Sequence, residues 1–185
     1  CNGVAVGVYH TCSPEEVEWV VGNSDSKVVF VGTNPMDGGN ASKMCSHRLE
    51  AAMDNLGKVE AVVSMLGMDA IDHDKAMTWE QFVSKADSTP EGMVMDRISS
   101  IKPSDPATLS DTSGTTGNPK GVVLTHENMY FEIGQVHKLM SFDQGDGYVS
   151  WLPCAHVFGQ LADNHLWIRD GIHMRVVDNP LHAID

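Results

Sequence analysis

The feature of the sequence that most restricts its fold is the alternation of short apolar runs with helical segments. Runs of strand length occur at residues 3–9, 27–31, 59–66, 107–110, 122–124, 148–152 and 172–177. Longer helical segments are expected at residues 41–56, 126–140 and 155–169. Because a helix commonly connects two parallel strands, this alternation predicts an α/β fold with a largely parallel sheet.

Local signals mark the shorter helices. Ser13, Pro14 and Glu16 form a capping box with proline at the first helical position, which predicts a helix that ends at residues 22–23. Residues 78–81 form a second capping box. The apolar residues expected on one helix face are Val17, Val20 and Val21 in the first helix, and Val94, Ile98 and Ile101 in a helix that begins at residues 89–90.

The charge balance excludes one class of partner. The 185 residues contain 12 Lys and Arg against 25 Asp and Glu, and the formal net charge is −13 with neutral histidines. A surface this acidic repels a phosphate backbone, so nucleic-acid binding is not expected. No apolar run approaches the roughly 18 to 20 residues that cross a bilayer, whereas peripheral contact with an intracellular membrane stays open.

Cysteine usage bears on the compartment. The four cysteines are scattered and form no Cys-x-x-Cys pair, and no signal peptide is visible. A reduced, cytoplasmic setting is therefore expected. No feature of the sequence bears on oligomeric state.

One polar segment carries the chemistry. Residues 112–121 read Thr-Ser-Gly-Thr-Thr-Gly-Asn-Pro-Lys-Gly and lie between two apolar strands. Glycines let backbone N–H groups turn toward a ligand, hydroxyls add donors, and the lysine adds a positive charge, so the segment is typical of a phosphate-binding loop. A Walker A loop is excluded, because Lys120 precedes Gly121 where that motif needs Ser or Thr. A flexible polar surface loop is the alternative.

The string T-S-G-T-T-G-N-P-K-G resembles the phosphate-binding signature of the adenylate-forming (ANL) enzymes, which include acyl-CoA synthetases, luciferases and peptide-synthetase adenylation domains. Residues 122–128 and 150–158 are similar to the segments that follow it in this family. Residues 7–17 and 27–31 resemble long-chain fatty-acyl-CoA synthetases of the bubblegum-type branch. The resemblance spans nearly the whole chain and is weakest at residues 36–77.

This resemblance implies a fold, a domain assignment and a reaction. Residues 1–185 would be a fragment of the large N-terminal AMP-binding domain, without the small C-terminal domain. The parent enzyme would convert a fatty acid and ATP into an acyl-adenylate and pyrophosphate, and coenzyme A would then displace AMP. ATP, Mg²⁺, coenzyme A and the fatty acid are thus the expected small-molecule partners.

The resemblance also implies roles for individual residues. The residues expected to contact the ATP phosphates are Thr112, Ser113, Gly114, Thr115, Thr116, Gly117 and Lys120. Thr112 or Thr115 would help to hold Mg²⁺. His156 would lie beside the nucleotide and the acyl channel, whereas His126 is interpreted as a structural residue at a helix start.

Two departures from the family pattern leave alternatives open. Asp111 stands where an aromatic residue is usual, and Ser110 stands where an apolar one is common. If the Asp111 carboxylate points inward, it repels the phosphates; if it points away, its effect is small. Together with the absence of the family's downstream motifs, an inward carboxylate would make the chain a non-catalytic nucleotide-binding module of the same fold. An adenylating enzyme for another carboxylic acid is a separate alternative, because the resemblance places most of the acyl pocket beyond residue 185.

The residues that complete the family's reaction are not expected in this chain. In the family, downstream motifs supply a glutamate for Mg²⁺, an aspartate for the ribose and a lysine in the C-terminal domain. No catalytic residue is therefore expected within residues 1–185, and the isolated chain is predicted not to form acyl-adenylate.

Overall fold

The computed structural model describes residues 2–32, 44–65, 67–112, 117–140 and 142–177. Its strands and helices in chain order are β1 (Ala5–Val6), α1 (Pro14–Asn23), β2 (Val28–Val31), α2 (Cys45–Ala52), β3 (Ala61–Ser64), β4 (Ala76–Thr78), α3 (Trp79–Ser84), α4 (Met93–Ser100), β5 (Pro106–Thr112), β6 (Lys120–Thr125), α5 (His126–Met140), β7 (Gly147–Ser150), α6 (Leu166–Asp170) and β8 (His173–Val176). Short 3₁₀ helices follow α2 and α3, and a π-helix at Gly159–His165 precedes α6.

The described residues fall into two units. The first unit contains Asn2 and the described parts of residues 10–100, together with residues 117–119. The second unit contains residues 3–9, 101–112 and the described residues from 120 onward. Every described strand pairing other than β5–β6 is parallel, which confirms the largely parallel α/β fold expected from the alternation of runs.

In the first unit, three parallel strands form a sheet in the order β2-β3-β4. The central strand is the most buried: Val62 and Val63 point to opposite faces of the sheet and neither has exposed surface, so both faces of β3 are covered. The buried residues of α1 are Val17, Val20 and Val21, as the helical spacing predicts. This unit therefore has its own apolar core.

Both capping boxes form as the local sequence predicts. The Glu16 backbone N–H donates to Ser13 Oγ at 3.2 Å, and the Ser13 N–H donates to Glu16 Oε2 at 2.7 Å. Thr78 and Gln81 exchange the same pair of bonds at the start of α3. Such pairs satisfy N–H groups that lack partners within the helix, so the start is determined by four consecutive residues.

Several boundaries differ from the expectations. α2 begins at Cys45, and the expected start at residue 41 lies outside the described residues. β4 was not predicted, because Ala-Met-Thr is too short to form a recognisable apolar run. The expected buried strand at residues 3–9 is only two residues long, and Ala5 is exposed. Val94 and Ile98 do share one side of α4, but that side is exposed.

The second unit contains the sheet β1-β5-β6 and the parallel pair β7-β8. α5 spans His126–Met140 as expected, and Thr125 and Asn128 exchange hydrogen bonds at its start. His126 is the first residue of this helix, in agreement with its structural interpretation. The expected helix at residues 155–169 is in fact the π-helix followed by α6.

Candidate functional site

The predicted phosphate loop lies at the end of an antiparallel hairpin. β5 and β6 pair so that Thr112 faces Lys120 and Asp111 faces Gly121. The expected loop at residues 112–121 is therefore too long at both ends, because Thr112 belongs to β5 and Lys120 and Gly121 belong to β6. The Thr112 hydroxyl donates to the Lys120 carbonyl oxygen at 3.3 Å and links the two strands at this end.

Four residues of the predicted site, Ser113, Gly114, Thr115 and Thr116, lie outside the described residues, and their phosphate and Mg²⁺ contacts stay predictions. Gly117 is described and has a φ of +144°, a backbone conformation that favours glycine. No atom lies within 4 Å of where its Cβ would be. The end of the loop nearest β6 is thus open to solvent.

The two described polar residues of the predicted site share one face of the hairpin. Thr112 and Lys120 are both exposed and are register partners, and the side chains of directly opposed residues lie on the same side of a sheet. Lys120 makes none of the ion pairs found among the described residues. Its ammonium group is therefore available to an anionic ligand.

Asp111 faces the opposite side of the hairpin. Successive side chains along a strand alternate between faces, so Asp111 points away from the face of Thr112 and Lys120. Its Oδ1 atom lies 3.5 Å from the position that a Cβ on Gly121 would occupy. Partial burial raises the pKa of the Asp111 carboxyl. Of the two alternatives for this residue, the structure selects the one with the smaller effect on a phosphate ligand.

A tryptophan holds the second half of the loop. The Trp19 indole Nε1–H of α1 donates to the Pro119 carbonyl oxygen at 2.8 Å, and both residues belong to the first unit. Trp19 belongs to none of the motifs of the sequence. No local signal identifies it, because its partner lies 100 residues away in the chain.

His156 lies in a turn at residues 151–158, here called the histidine turn, and its side chain is exposed. The His156 N–H donates to the Pro153 carbonyl at 2.9 Å, and the Phe158 N–H donates to His156 Nδ1 at 3.1 Å. Because Nδ1 accepts a hydrogen bond, the neutral imidazole carries its proton on Nε2. The imidazole therefore presents an N–H donor at its outer end.

Close packing defines the shape of the histidine turn. A Cβ on Gly7 would lie 2.6 Å from the Ala155 Cα, and a Cβ on Gly159 would lie 2.4 Å from the Pro153 carbonyl oxygen. Both distances are too short for any side chain, so glycine is required at these positions. The turn is held by backbone that passes within contact distance on both sides.

The π-helix after the turn is fixed by buried polar groups. Asp163 has no exposed surface, and its carboxylate accepts hydrogen bonds from the Tyr148 and Ser150 hydroxyls of β7, each at 2.6 Å. Burial and the adjacent Asp163 carboxylate together raise the pKa of Tyr148. On β5, the Thr108 hydroxyl lies 3.1 Å from Gln160 Oε1. The helix is thereby connected to two strands.

An open groove of about 750 Å³ lies in the second unit, here called the apolar groove. Its apolar lining residues are Leu124, Met129, Phe131, Val157, Phe158 and Leu161, and its polar ones are Glu127, Asn128 and Glu132. The lining thus joins the end of β6, the start of α5 and the residues directly after His156. This arrangement suits an extended apolar ligand.

Two further properties of the described residues bear on other classes of site. No group of three or more His, Cys, Asp and Glu side chains among them could hold a metal ion. Among the same residues, no helix combines the length and apolar character required to span a membrane.

Comparisons with known proteins agree with this geometry. A family model described as "AMP-binding enzyme" matches residues 1–184. The long-chain-fatty-acid–CoA ligase ACSBG2 of Gallus gallus is 31% identical over 171 residues, which cover 90% of this chain and 21% of the ligase. The peroxisomal long chain acyl-CoA synthetase 6 of Arabidopsis thaliana is also 31% identical, over 84% of this chain and 21% of that enzyme.

The fold is likewise similar to solved structures. The anthranilate CoA ligase AuaEII, crystallised with anthranoyl-AMP, superposes with a TM-score of 0.71 at 19% identity, over 94% of this chain and 30% of that one. This likeness confirms the α/β architecture. The chain spans about a fifth of the length of the two curated relatives named above.

Proposed function

The chain belongs to the AMP-binding enzyme family, and we propose that the complete protein activates a long-chain fatty acid to its acyl-CoA thioester in two steps. The fatty acid carboxylate attacks the α-phosphorus of ATP, and pyrophosphate leaves with the electron pair of the broken P–O bond. The coenzyme A thiol then attacks the acyl carbon, loses its proton and displaces AMP. The observation that carries the proposal is the hairpin that presents Thr112 and Lys120 on one exposed face.

The hairpin has the groups that this first step needs. Negative charge builds on the departing pyrophosphate, and fixed donors and cations lower the energy of that charge in the transition state. Lys120 supplies a positive charge in a chain whose formal net charge is −13, so its position matters for the approach of a polyanion. We assign the phosphate contacts to Thr112, Lys120, Gly117 and residues 113–116.

Mg²⁺ enters this proposal with the nucleotide. The hydroxyls of Thr112 and Thr115 are oxygen donors of the kind that Mg²⁺ accepts, and Thr112 is the one that the structure describes. Mg²⁺ usually keeps several waters and binds through few protein ligands when substrate phosphates are present. Bound there, the ion would neutralise phosphate charge during the attack.

The position of the apolar groove supports an acyl substrate. Lys120 and Leu124 are four residues apart on β6 and share one face, at a separation of about 13 Å for strand geometry. Leu124 lines the groove, as do Val157 and Phe158 directly after His156. A substrate with phosphates at Lys120 and an alkyl chain along the groove would follow this face, with His156 near the junction.

We also propose that residues 1–185 form part of the large N-terminal domain of a longer enzyme. The named relatives are about five times longer than the matched segment, as the shares of 21% indicate. The glutamate, aspartate and lysine that complete the family's reaction would lie elsewhere in the complete protein. The isolated chain is therefore expected to show no ATP–pyrophosphate exchange.

The alternative of a non-catalytic module rests on Asp111 and on the absence of the downstream motifs. The first of these arguments is weakened, because the Asp111 carboxylate faces away from Thr112 and Lys120. An adenylating enzyme for another carboxylic acid remains the second candidate, because the crystallised neighbour AuaEII is an anthranilate CoA ligase. The two candidate functions differ in the acid that the complete protein activates, which is either a long-chain fatty acid or another carboxylic acid such as anthranilate.

The test is ATP–pyrophosphate exchange in the complete protein, with palmitate and anthranilate as alternative acids. Lys120→Ala is expected to lower exchange by about 100-fold, the effect of losing a donor to developing charge. Lys138→Ala is the matched control, because Lys138 is an exposed lysine in the last turn of α5. Equal rates in the two variants would contradict the proposed role of the hairpin, and exchange with anthranilate alone would contradict the fatty acid.

A further inference from the structure

Among the described residues, the hydrogen bond from Trp19 to Pro119 links α1 to residues 117–119, the second half of the predicted loop. Trp19 lies on α1, and 38% of its surface is exposed. The core contacts of this helix come from Val17, Val20 and Val21, which are buried. The Trp19 ring is therefore not needed to fill the core, and its indole N–H has a specific partner instead.

The accepting carbonyl belongs to the peptide unit that joins Pro119 to Lys120. A peptide unit is planar, so a bond that fixes the carbonyl oxygen also fixes the plane that contains the Lys120 nitrogen. The proline ring restricts φ at Pro119 to about −65°. The Trp19 bond restricts the other rotation at this residue, which sets the direction in which the chain enters Lys120.

Lys120 is held from its other side as well. Its own carbonyl oxygen accepts the hydrogen bond of the Thr112 hydroxyl at 3.3 Å. The backbone on both sides of the Lys120 Cα is thus restrained, while its side chain is exposed. A long flexible side chain on a restrained backbone can meet a phosphate with a smaller loss of conformational freedom on binding.

We propose that Trp19 is a positioning residue for nucleotide binding, which acts through the Pro119 carbonyl on the orientation of Lys120. This inference rests on the proposed function, because it requires Lys120 to contact a phosphate. Trp19 itself does not touch the nucleotide. Loss of its N–H leaves Lys120 in place but lets the preceding peptide rotate.

The test is the affinity of the complete protein for ATP with Mg²⁺, measured by calorimetry for Trp19→Phe. The phenylalanine ring keeps most of the apolar surface and lacks the N–H donor. Trp167→Phe is the matched control, since Trp167 is 40% exposed and its indole makes none of the hydrogen bonds found between described residues. Trp19→Phe is expected to weaken ATP binding between about 2-fold and 10-fold, the range for one hydrogen bond.

A double-mutant cycle with Lys120→Ala identifies the route of the effect. If Trp19 acts through Lys120, Trp19→Phe changes affinity in the native background and has almost no effect when Lys120 is already alanine. Fully additive effects would overturn the inference, because Trp19 would then act independently of Lys120. Equal affinities of Trp19→Phe and Trp167→Phe would overturn it as well.

The same ATP affinities separate this inference from its premise. If Lys120→Ala weakens ATP binding and Trp19→Phe does not, the proposed function stands and the role of Trp19 is wrong. If the native protein binds no ATP, the proposed function fails, and the role of Trp19 fails with it. Faster hydrogen exchange of residues 117–121 in ligand-free Trp19→Phe, with unchanged exchange in β3, is the expected sign that the peptide has been released.

Discussion

The hairpin and the histidine turn are held in opposite ways, although both carry residues proposed to meet substrate. Around Gly117 there is open space, and two described side-chain hydrogen bonds hold Pro119 and Lys120. Around His156 the backbone is packed so closely that Gly7 and Gly159 have no room for a methyl group. The open space at Gly117 leaves room for a ligand beside a restrained Lys120 backbone, whereas the close packing around His156 fixes the position of the backbone that carries the imidazole. The comparison predicts that substitutions affect folding in the turn and binding in the hairpin.

The largest effect is expected in the turn. Gly159→Ala would place a Cβ 2.4 Å from the Pro153 carbonyl oxygen, so the backbone must shift. We expect the free energy of unfolding to fall by about 3 kcal/mol, the upper part of the range for overpacking. Urea denaturation measures this change. Gly147→Ala is the control, because no atom lies within 4 Å of its Cβ position and its φ is not positive, and a loss as large as that of Gly159→Ala would break the comparison.

In the hairpin, we expect Gly117→Ala to lower the free energy of unfolding less than Gly159→Ala does and to lower ATP affinity more. Gly117→Ala meets no neighbouring atom, and its cost comes only from the φ of +144°. We expect unfolding to become easier by about 1 to 2 kcal/mol, typical of a strained backbone position. We also expect Gly117→Ala to lower the affinity for ATP, which calorimetry measures. If ATP affinity stays native, Gly117 does not belong to the binding loop.

The smallest effect concerns the face of the hairpin away from Lys120. Burial raises the pKa of Asp111, so folding favours its protonated form and the ionised carboxylate opposes folding. The associated stability is fully present below the unfolded-state pKa and is lost as the pH rises through the folded-state pKa. Asp111→Asn should therefore stabilise the protein slightly at pH 7, since solvent screens a partly exposed carboxylate, and have no such effect at pH 3.

Thermal unfolding at the two pH values measures the Asp111 effect, and ATP titration of the same variant supplies a second readout. Affinity for ATP should rise only slightly, because the carboxylate lies on the opposite face and solvent screens it. A rise of more than about tenfold would mean that Asp111 faces the phosphates after all, and the assignment of faces would be wrong.

The sequence alone predicts structural features that depend on contacts between residues close together in the chain, and it misses those that depend on distant contacts. The start of α1 was predicted because Ser13, Pro14 and Glu16 interact within one turn. The sequence did not predict that β5 pairs with β6 in an antiparallel way, nor that Asp111 and Lys120 lie on opposite faces. Both features depend on the register between the strands. β4 was missed because a three-residue strand gains most of its stability from its neighbour β3.

The contacts that shape the candidate site were also beyond local patterns. The close approach of Gly7 to Ala155 joins residues nearly 150 positions apart, and nothing around either glycine signals it. A helix was expected where the π-helix at Gly159–His165 lies, and within it the buried Asp163 carboxylate accepts two hydrogen bonds from β7. Apolar periodicity indicates a helix there but does not distinguish a π-helix from an α-helix.

The Trp19 bond gives this chain an optical reporter of its own. The sequence contains four tryptophans, and Trp19 donates its indole N–H to the Pro119 carbonyl. Indole emission depends on the hydrogen bonding and polarity around the ring, so displacement of this peptide would change the colour and intensity of the signal. With the other three tryptophans replaced by phenylalanine, stopped-flow fluorescence would report on the Trp19–Pro119 hydrogen bond during ATP binding without an attached dye.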